Sequence, residues 1–294
     1  MTSSSAIALP YNKAFAFGML LKPRLSLLVV FSAVITYITV TPQIKPLSVL
    51  GLSLGGFLIT GAANAINQIM ERSTDRLMDR TRNRPLPLQV IAPGAAVIFS
   101  IIIVFLGLAG LWFFTGMLPA ILGLISVVLY AFVYTPLKLH SPLSVLVGAF
   151  PGALPTLIGG FSGSSSVSQY QLSILLFLIQ FFWQFPHFWS LAWFNNDDYL
   201  RAGFHLLPSR GGKNTASCFQ ILLYSAFLLP LSVLPFAFGA VGLLSTSVVI
   251  LCGIAVLLQA YTFYRLKTDA QAKKLFFITL IYLPLVQLAL MTRL

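Results

Sequence analysis

The chain has 294 residues, of which 58% are hydrophobic and only 8% charged, and its mean hydropathy is +0.92. A soluble domain of this length carries about 25% charged residues, so a water-solvated globule is excluded and lipid is the remaining solvent. The net charge of +12 does not mark a nucleic-acid binder, because the basic residues are confined to segments between apolar runs; they point to membrane topology and to anionic partners at the membrane.

Residues 1–10 lack the basic segment, apolar core and cleavage site of a signal peptide. The segment 1–23, where Leu9–Lys22 mixes apolar residues with Lys13 and Lys22, is expected to lie along the interface. Nine runs then reach the roughly 20 residues a membrane helix needs: 24–42, 47–70, 92–115, 117–135, 142–162, 170–194, 217–240, 243–264 and 273–292. They predict an all-α, polytopic bundle of nine transmembrane helices forming a single membrane-embedded domain over 1–294. Cys218 and Cys252 stand in apolar surroundings without a CxxC or His spacing, so neither a disulfide framework nor a zinc site is expected.

The basic residues orient the bundle. Lys13, Lys22 and Arg24 precede span 1; Arg72, Arg76, Arg80, Arg82 and Arg84 follow span 2; Lys138 follows span 4. Arg201, Arg210 and Lys213 follow span 6, and Arg265, Lys267, Lys273 and Lys274 follow span 8. Only Lys45 and Arg293 fall on the other side. The positive-inside bias predicts a cytoplasmic N-terminus, an external C-terminus and chemistry at the cytoplasmic face. The loops expected on the outer side are short or rich in Gly and Ser, as in Gly159–Ser168. Few polar groups stand at the centres of the spans, which weighs against a carrier with a mid-membrane site.

Only six carboxylates exist, and Glu71, Asp75, Asp79, Asp197 and Asp198 form two clusters, each closing an even-numbered span. Asn67, Glu71 and Asp75 recur every fourth residue. Each helical step of four drifts about 40°, so the three side chains span an arc of roughly 80° and can converge on one ligand. Asp79 lies a further step round, and Pro85 and Pro87 end the helix. Hard oxygen donors without His or Cys suit Mg²⁺; the bland alternative is a solvated helix end laced with Arg–Glu pairs. The second cluster, Asn195-Asn196-Asp197-Asp198-Tyr199, could by itself be a helix-ending turn. With Arg80, Arg84, Lys138 and Arg201 on the same face, the two clusters form a candidate two-sided clamp. In it Asn67, Glu71, Asp75, Asp197 and Asp198 would ligate Mg²⁺ around a diphosphate, and the basic residues would neutralise it.

The run from Asn67 through Glu71, Asp75, Met78, Arg80, Thr81 and Arg84 to Pro85 and Pro87 resembles the first signature of the UbiA-type intramembrane prenyltransferases. Gln68 after Asn67, Glu71 as the middle acid and the Met-x-Arg-Thr-x-x-Arg-Pro continuation resemble its haem-modifying branch. Tyr134-Thr135-Pro-Leu-Lys138, Pro151-Gly-Ala-Leu-Pro155, Trp183-Gln-Phe-Pro-His187-Phe-Trp189 and Asp197-Asp198-Tyr199 follow in the family's order, within about residues 60–212. The resemblance implies a prenyltransferase of the inner membrane, with Mg²⁺ as cofactor, farnesyl diphosphate and protohaem IX as substrates, and membrane lipids around it. A haem A synthase or terminal oxidase assembly would receive the product. It implies catalytic or metal roles for Asn67, Glu71, Asp75, Lys138, Asp197 and Asp198, and substrate contacts from Arg80, Arg84, Tyr134, His187, Tyr199 and Arg201. The sequence departs from the aromatic-substrate members, which carry a second Asp-x-x-x-Asp where this chain has Asn195 to Tyr199. It departs from the haem branch at His140, Ser144 and His205. A relative acting on a quinone precursor or chlorophyllide-like ring is the enzymatic alternative, and a haem or lipid carrier the non-enzymatic one.

Overall fold

The computed structural model describes residues 12–163, 167–209 and 211–292. Residues 1–11 of the expected interfacial segment, and Arg210 and Arg293 of the charge tally, lie outside the described residues. Among those described, every regular element is helical. A short helix, α1 (Lys13–Leu20), precedes α2 (Pro23–Val40) and α3 (Pro46–Met70), which a single further turn, α4 (Arg72–Asp75), extends. After a looped stretch come α5 (Pro93–Thr115) and α6 (Met117–Val128), which passes through a π-helical segment, Leu129–Tyr134, into α7 (Thr135–Leu137). The second half holds α8 (Ser144–Gly163), α9 (Val167–Phe194), the short α10 (Asn196–Arg201), α11 (Thr215–Ala226), α12 (Leu228–Ala237), α13 (Leu243–Leu266) and α14 (Asp269–Thr292).

Nine described segments are long and apolar enough to cross a membrane, and they coincide with the nine predicted spans to within a few residues. The chain is a multi-pass membrane protein. Proline stands at the start of α2, α3 and α5, where its missing N–H costs no helical bond. Gly116, at φ +108°, makes the tight reversal between α5 and α6 that a side chain would oppose. Of the Gly/Ser-rich stretch expected as a loop over 159–168, Gly159–Gly163 belong to α8 and Val167 opens α9, while residues 164–166 lie outside the described residues. Helices such as α5 present Ile98, Ile101, Phe105 and Phe113 outward, the all-round apolarity that suits a lipid-facing helix.

Two main cores hold the bundle. One joins α2, α3, α5, α6 and α8 through Tyr37, Leu52, Ile59, Leu111 and Leu154. The other centres on α9, where Phe185, Trp189 and Trp193 meet Ile221, Val249, Phe263, Leu275 and Val286. α8 bridges them, packing on both α2 and α9. Its glycines permit that approach: a Cβ on Gly159 would collide with the Ala33 carbonyl, and one on Gly152 with the Gln184 amide. A smaller core ties α1 to the looped segment after α4, through Ala16, Leu20, Leu86, Ile91 and Ala96.

Candidate active site

The carboxylate row survives the end of α3. Glu71, at φ −90° and ψ 6°, breaks regular helix between α3 and α4. The backbone bonds from Glu71 N to the Asn67 carbonyl (2.9 Å) and from Asp75 N to the Glu71 carbonyl (2.7 Å) nevertheless continue the four-residue step. Asn67, Glu71 and Asp75 therefore stay on one face, as their spacing predicts, and all three are buried, at 2%, 8% and 0% exposure. Beyond Asp75 the step is lost: Asp79 sits in a turn, more than half exposed.

A hydroxyl fixes the Asn67 amide. Thr135 Oγ1 donates its one proton to the Tyr130 carbonyl (2.9 Å), so toward Asn67 it can only accept. The Asn67 Nδ2 donor takes that lone pair at 3.0 Å, which leaves Asn67 Oδ1, a hard acceptor, free for a ligand. The π-helical turn makes this possible, because its wider winding sets Thr135 five residues beyond the carbonyl it meets. Such local irregularities recur at functional sites.

Two cations face the row. Arg84 Nη1 holds Asp75 bidentately, at 3.1 Å and 2.9 Å from the two oxygens. Lys138, itself only 7% exposed, forms an ion pair with Glu71 and lies against the rings of Tyr134 and Phe204. That ion pair is made by Glu71 Oε1, so in the free protein the lysine occupies the oxygen that a metal would take. The donor set of amide and carboxylate oxygens fits a hard divalent cation such as Mg²⁺. Among the described residues no three His, Cys, Asp or Glu side chains stand close enough to form a metal centre by themselves, so the remaining ligands would come from water and substrate oxygens.

The second cluster meets the first at its rim. Asp198 accepts from the backbone N–H groups of Asp79 (2.9 Å) and Arg80 (3.2 Å) and pairs with Arg201, which also holds Asp79. Burial alone would raise the Asp198 pKa, but these donors outweigh it and hold the carboxyl below its ordinary range. Asp198 is thus committed to tying α10 to the turn at Asp79 and Arg80, while Asp197 is exposed. Arg80 reaches Tyr199, with Nη2 at 3.4 Å from the hydroxyl. Tyr134 lies in the fields of both Glu71 and Arg80, which places rim and buried row side by side.

Behind the row an apolar cavity of about 240 Å³ opens between the helices, walled by Tyr134, Gly152, Gln180, Trp183, Gln184 and His187 among others. His187 is stacked between Trp183 and Phe276, with ring centroids 4.6 Å and 4.7 Å away. Thr279 donates its hydroxyl proton to the Phe276 carbonyl (2.7 Å), so the 3.0 Å contact to His187 Nδ1 requires a proton on Nδ1. The Nε2 lone pair is left available. His140 and His205 stand apart, lining a separate cavity of about 270 Å³ with Asn196 and Ser209.

Sequence reasoning missed three participants. Thr135 and Gln68, the latter 1% exposed, were legible only as parts of motifs and Lys22 only as one of the basic residues that orient the chain, because the meeting of Gln68 with the turn before Lys22 depends on the folding of α1 over α3.

The model of the UbiA prenyltransferase family matches residues 26–281. Over 277 residues the chain is 42% identical to a protein of Christiangramia forsetii named protoheme IX farnesyltransferase, covering 92% of this chain and 91% of that one. It is 40% identical over 275 residues to one of the same name in Cytophaga hutchinsonii, covering 93% and 96%. Among solved structures, it resembles a digeranylgeranylglyceryl phosphate synthase with TM-score 0.79 at 20% identity, covering 96% of this chain and 99% of that one. It also resembles a UbiA homologue from Archaeoglobus fulgidus bound to GPP and Mg²⁺, with TM-score 0.71 at 18% identity, covering 94% and 99%. With the buried oxygen row, the facing cations and the apolar cavity in one place, the chain belongs to the UbiA prenyltransferase family.

Proposed function

We propose that this chain transfers a farnesyl group from farnesyl diphosphate to a vinyl group of protohaem IX, giving haem O. The observation that carries the reading is the buried row Asn67–Glu71–Asp75, faced by Lys138 and Arg84 and adjoining an apolar cavity along Tyr134. A polar clamp at one end of a hydrocarbon slot is what an amphiphile with a diphosphate head requires. Mg²⁺, held by Asn67, Glu71 and Asp75 with the uncommitted Asp197 opposite them, would supply positive charge at the leaving oxygens. The farnesyl acceptor reading is supported by the relatives' names, by His187 with its free Nε2 and by the lack of a second Asp-x-x-x-Asp.

The chain's own residues then act by position and charge. In the free protein Lys138 and Arg84 neutralise Glu71 and Asp75; with substrate present they turn to the diphosphate as charge develops on its leaving oxygen. The allylic C–O bond breaks, the vinyl carbon forms the new C–C bond, and a water oxygen captures the porphyrin-side cation and sheds a proton. The aromatic wall of Trp183, Phe188 and His187 holds the flat acceptor, with Nε2 turned to its iron or to a bound water. Arg80, Tyr199 and Arg201 guard the mouth. The inner-membrane location and the cytoplasmic position of this mouth rest on the distribution of Lys and Arg.

The test is expression in a host without haem O, with extraction and analysis of haems by chromatography and mass. A haem O peak is expected from the wild-type chain and none from Glu71→Gln or Asp75→Asn that still accumulate in the membrane. A prenylated quinone precursor instead would assign the chain to another branch, and no prenylated product would favour a carrier.

A further inference from the structure

Lys22 is the one basic residue of the site that arrives from outside the signature segments. It caps α2 in the left-handed region, at φ 45° and ψ 64°, a conformation unusual for a lysine and one that marks a site worth functional scrutiny. Pro23 already disfavours the right-handed helical region for the residue before it. The turn that carries Lys22 is bound down on three sides. Gln68 Nε2 donates to the Leu20 carbonyl at 2.8 Å and to the Asn64 carbonyl at 3.2 Å. Ser26 Oγ donates to the Leu21 carbonyl at 2.6 Å. Leu20 is fully buried, and the Leu21 side chain packs so closely on Gly61 that a Cβ there would come within 2.9 Å of it.

Because Gln68 adjoins Asn67 in α3, this anchoring brings Lys22 to the oxygen row, within electrostatic range of Arg84, Lys138, Glu71 and Asp75. Both carboxylates are already taken, Asp75 by Arg84 and Glu71 by Lys138, and no carboxylate within ion-pair distance is left for Lys22 among the described residues. Burial, followed by repulsion from Arg84 and Lys138, pushes the Lys22 pKa down to about 7. A desolvated ammonium set beside two other cations is costly unless an anion joins them. Glu71, Asp75 and a prenyl diphosphate with one Mg²⁺ together carry more negative charge than Arg84 and Lys138 can balance, whichever of these anions the two cations contact.

We infer that Lys22 is a third cation of the diphosphate subsite, donating to the phosphate oxygens beside Arg84 and Lys138, and that Gln68 is the positioning residue that holds it there. The inference rests on the reading that a Mg²⁺–prenyl diphosphate binds at the Asn67 row. It accounts for the amide at position 68: a side-chain NH₂ can donate to two carbonyls at once, whereas a carboxylate there would repel both.

The experiment measures binding of inorganic pyrophosphate with Mg²⁺ to the full-length purified protein, by calorimetry, with no acceptor present. The variants are Lys22→Met, Lys22→Arg, Gln68→Met and the Lys22→Met/Gln68→Met double, each checked for an unchanged melting temperature. Loss of one charge-assisted phosphate contact is expected to weaken binding by about tenfold or more in K22M, with K22R restoring most of it. Q68M should weaken it in the same direction, and the double variant should be no weaker than K22M. Gln68→Glu, which keeps the length and removes the donor, serves if Q68M does not accumulate. A folded K22M with pyrophosphate affinity like that of wild type overturns the assignment of Lys22; losses that multiply in the double variant overturn the role of Gln68. A wild-type chain that binds no Mg²⁺–pyrophosphate overturns the diphosphate reading itself, whereas wild-type binding without haem O formation overturns only the acceptor.

Discussion

At the scale of single residues, the site is set by which atom holds each proton. Thr135 and Thr279 act in the same way: each gives its proton to a backbone carbonyl, and each thereby dictates the state of the functional side chain bonded to it. Thr135 turns Asn67 so that Oδ1 is free, and Thr279 places the His187 proton on Nδ1. Thr135→Val keeps the shape and removes the acceptor, so the Asn67 amide loses its fixed orientation. A fall of about tenfold or more in kcat/KM is expected, comparable to other losses of an outer partner of a ligand, with Thr135→Ser restoring activity; steady-state kinetics on both variants check it. Thr279→Val frees the His187 tautomer. The expected signature is a changed Soret band on adding haemin, with Mg²⁺–pyrophosphate affinity unaltered; an unchanged spectrum would remove His187 from contact with the iron. The oxygen row itself was legible because a spacing of four is helical and because acids are rare enough here to stand out. The threonines were not, since hydroxyls in membrane helices most often return to their own helix, as Thr36 and Thr39 do.

At the scale of elements, long apolar runs bounded by charge gave all nine spans to within a few residues. The interruptions inside them left no such trace. The break at Glu71, the π-helical turn in the fourth span and the tie of Asp198 to the Asp79–Arg80 turn all arise from tertiary partners. That tie recasts the second acidic cluster, which the sequence suggests as half of a metal clamp. In the structure Asp198 is the latch between α10 and the loop after α4, and Asp197 alone of the pair is uncommitted. Because the Asp198 pKa is lowered by folding, the latch contributes stability that is present above the unfolded carboxylate value of about 3.9 and is lost as pH falls through the folded value. Protection factors over 76–84 and 196–202, taken relative to the intrinsic exchange rate at each pH, should therefore be high at neutral pH and fall below about pH 4. Asp198→Asn should show low protection at neutral pH already, with little further change in acid. Equal protection in the variant would show that the latch does not hold the rim.

At the scale of the whole molecule, the ends of the second, fourth, sixth and eighth spans gather at one end of the bundle. Glu71 meets Lys138, Asp79 meets Arg201, and Lys213 meets Asp269. The charge that orients the chain and the charge that builds the site are thus largely the same residues. Moving them would disturb insertion and chemistry together, which leaves orientation to be tested at neutral positions. Leu139 lies just past the fourth span and Phe238 just past the seventh, and both are exposed. In a background with Cys218 and Cys252 replaced by Ser or Ala, Leu139→Cys and Phe238→Cys would each carry the only thiol. Positive-inside orientation predicts that a membrane-impermeant maleimide labels Phe238→Cys in intact spheroplasts and labels Leu139→Cys only after the membrane is opened. The reverse pattern would place the diphosphate site on the outer face, away from a cytoplasmic supply of prenyl diphosphate. It would also require sixteen of the eighteen basic residues to have crossed the membrane against the usual energetic bias.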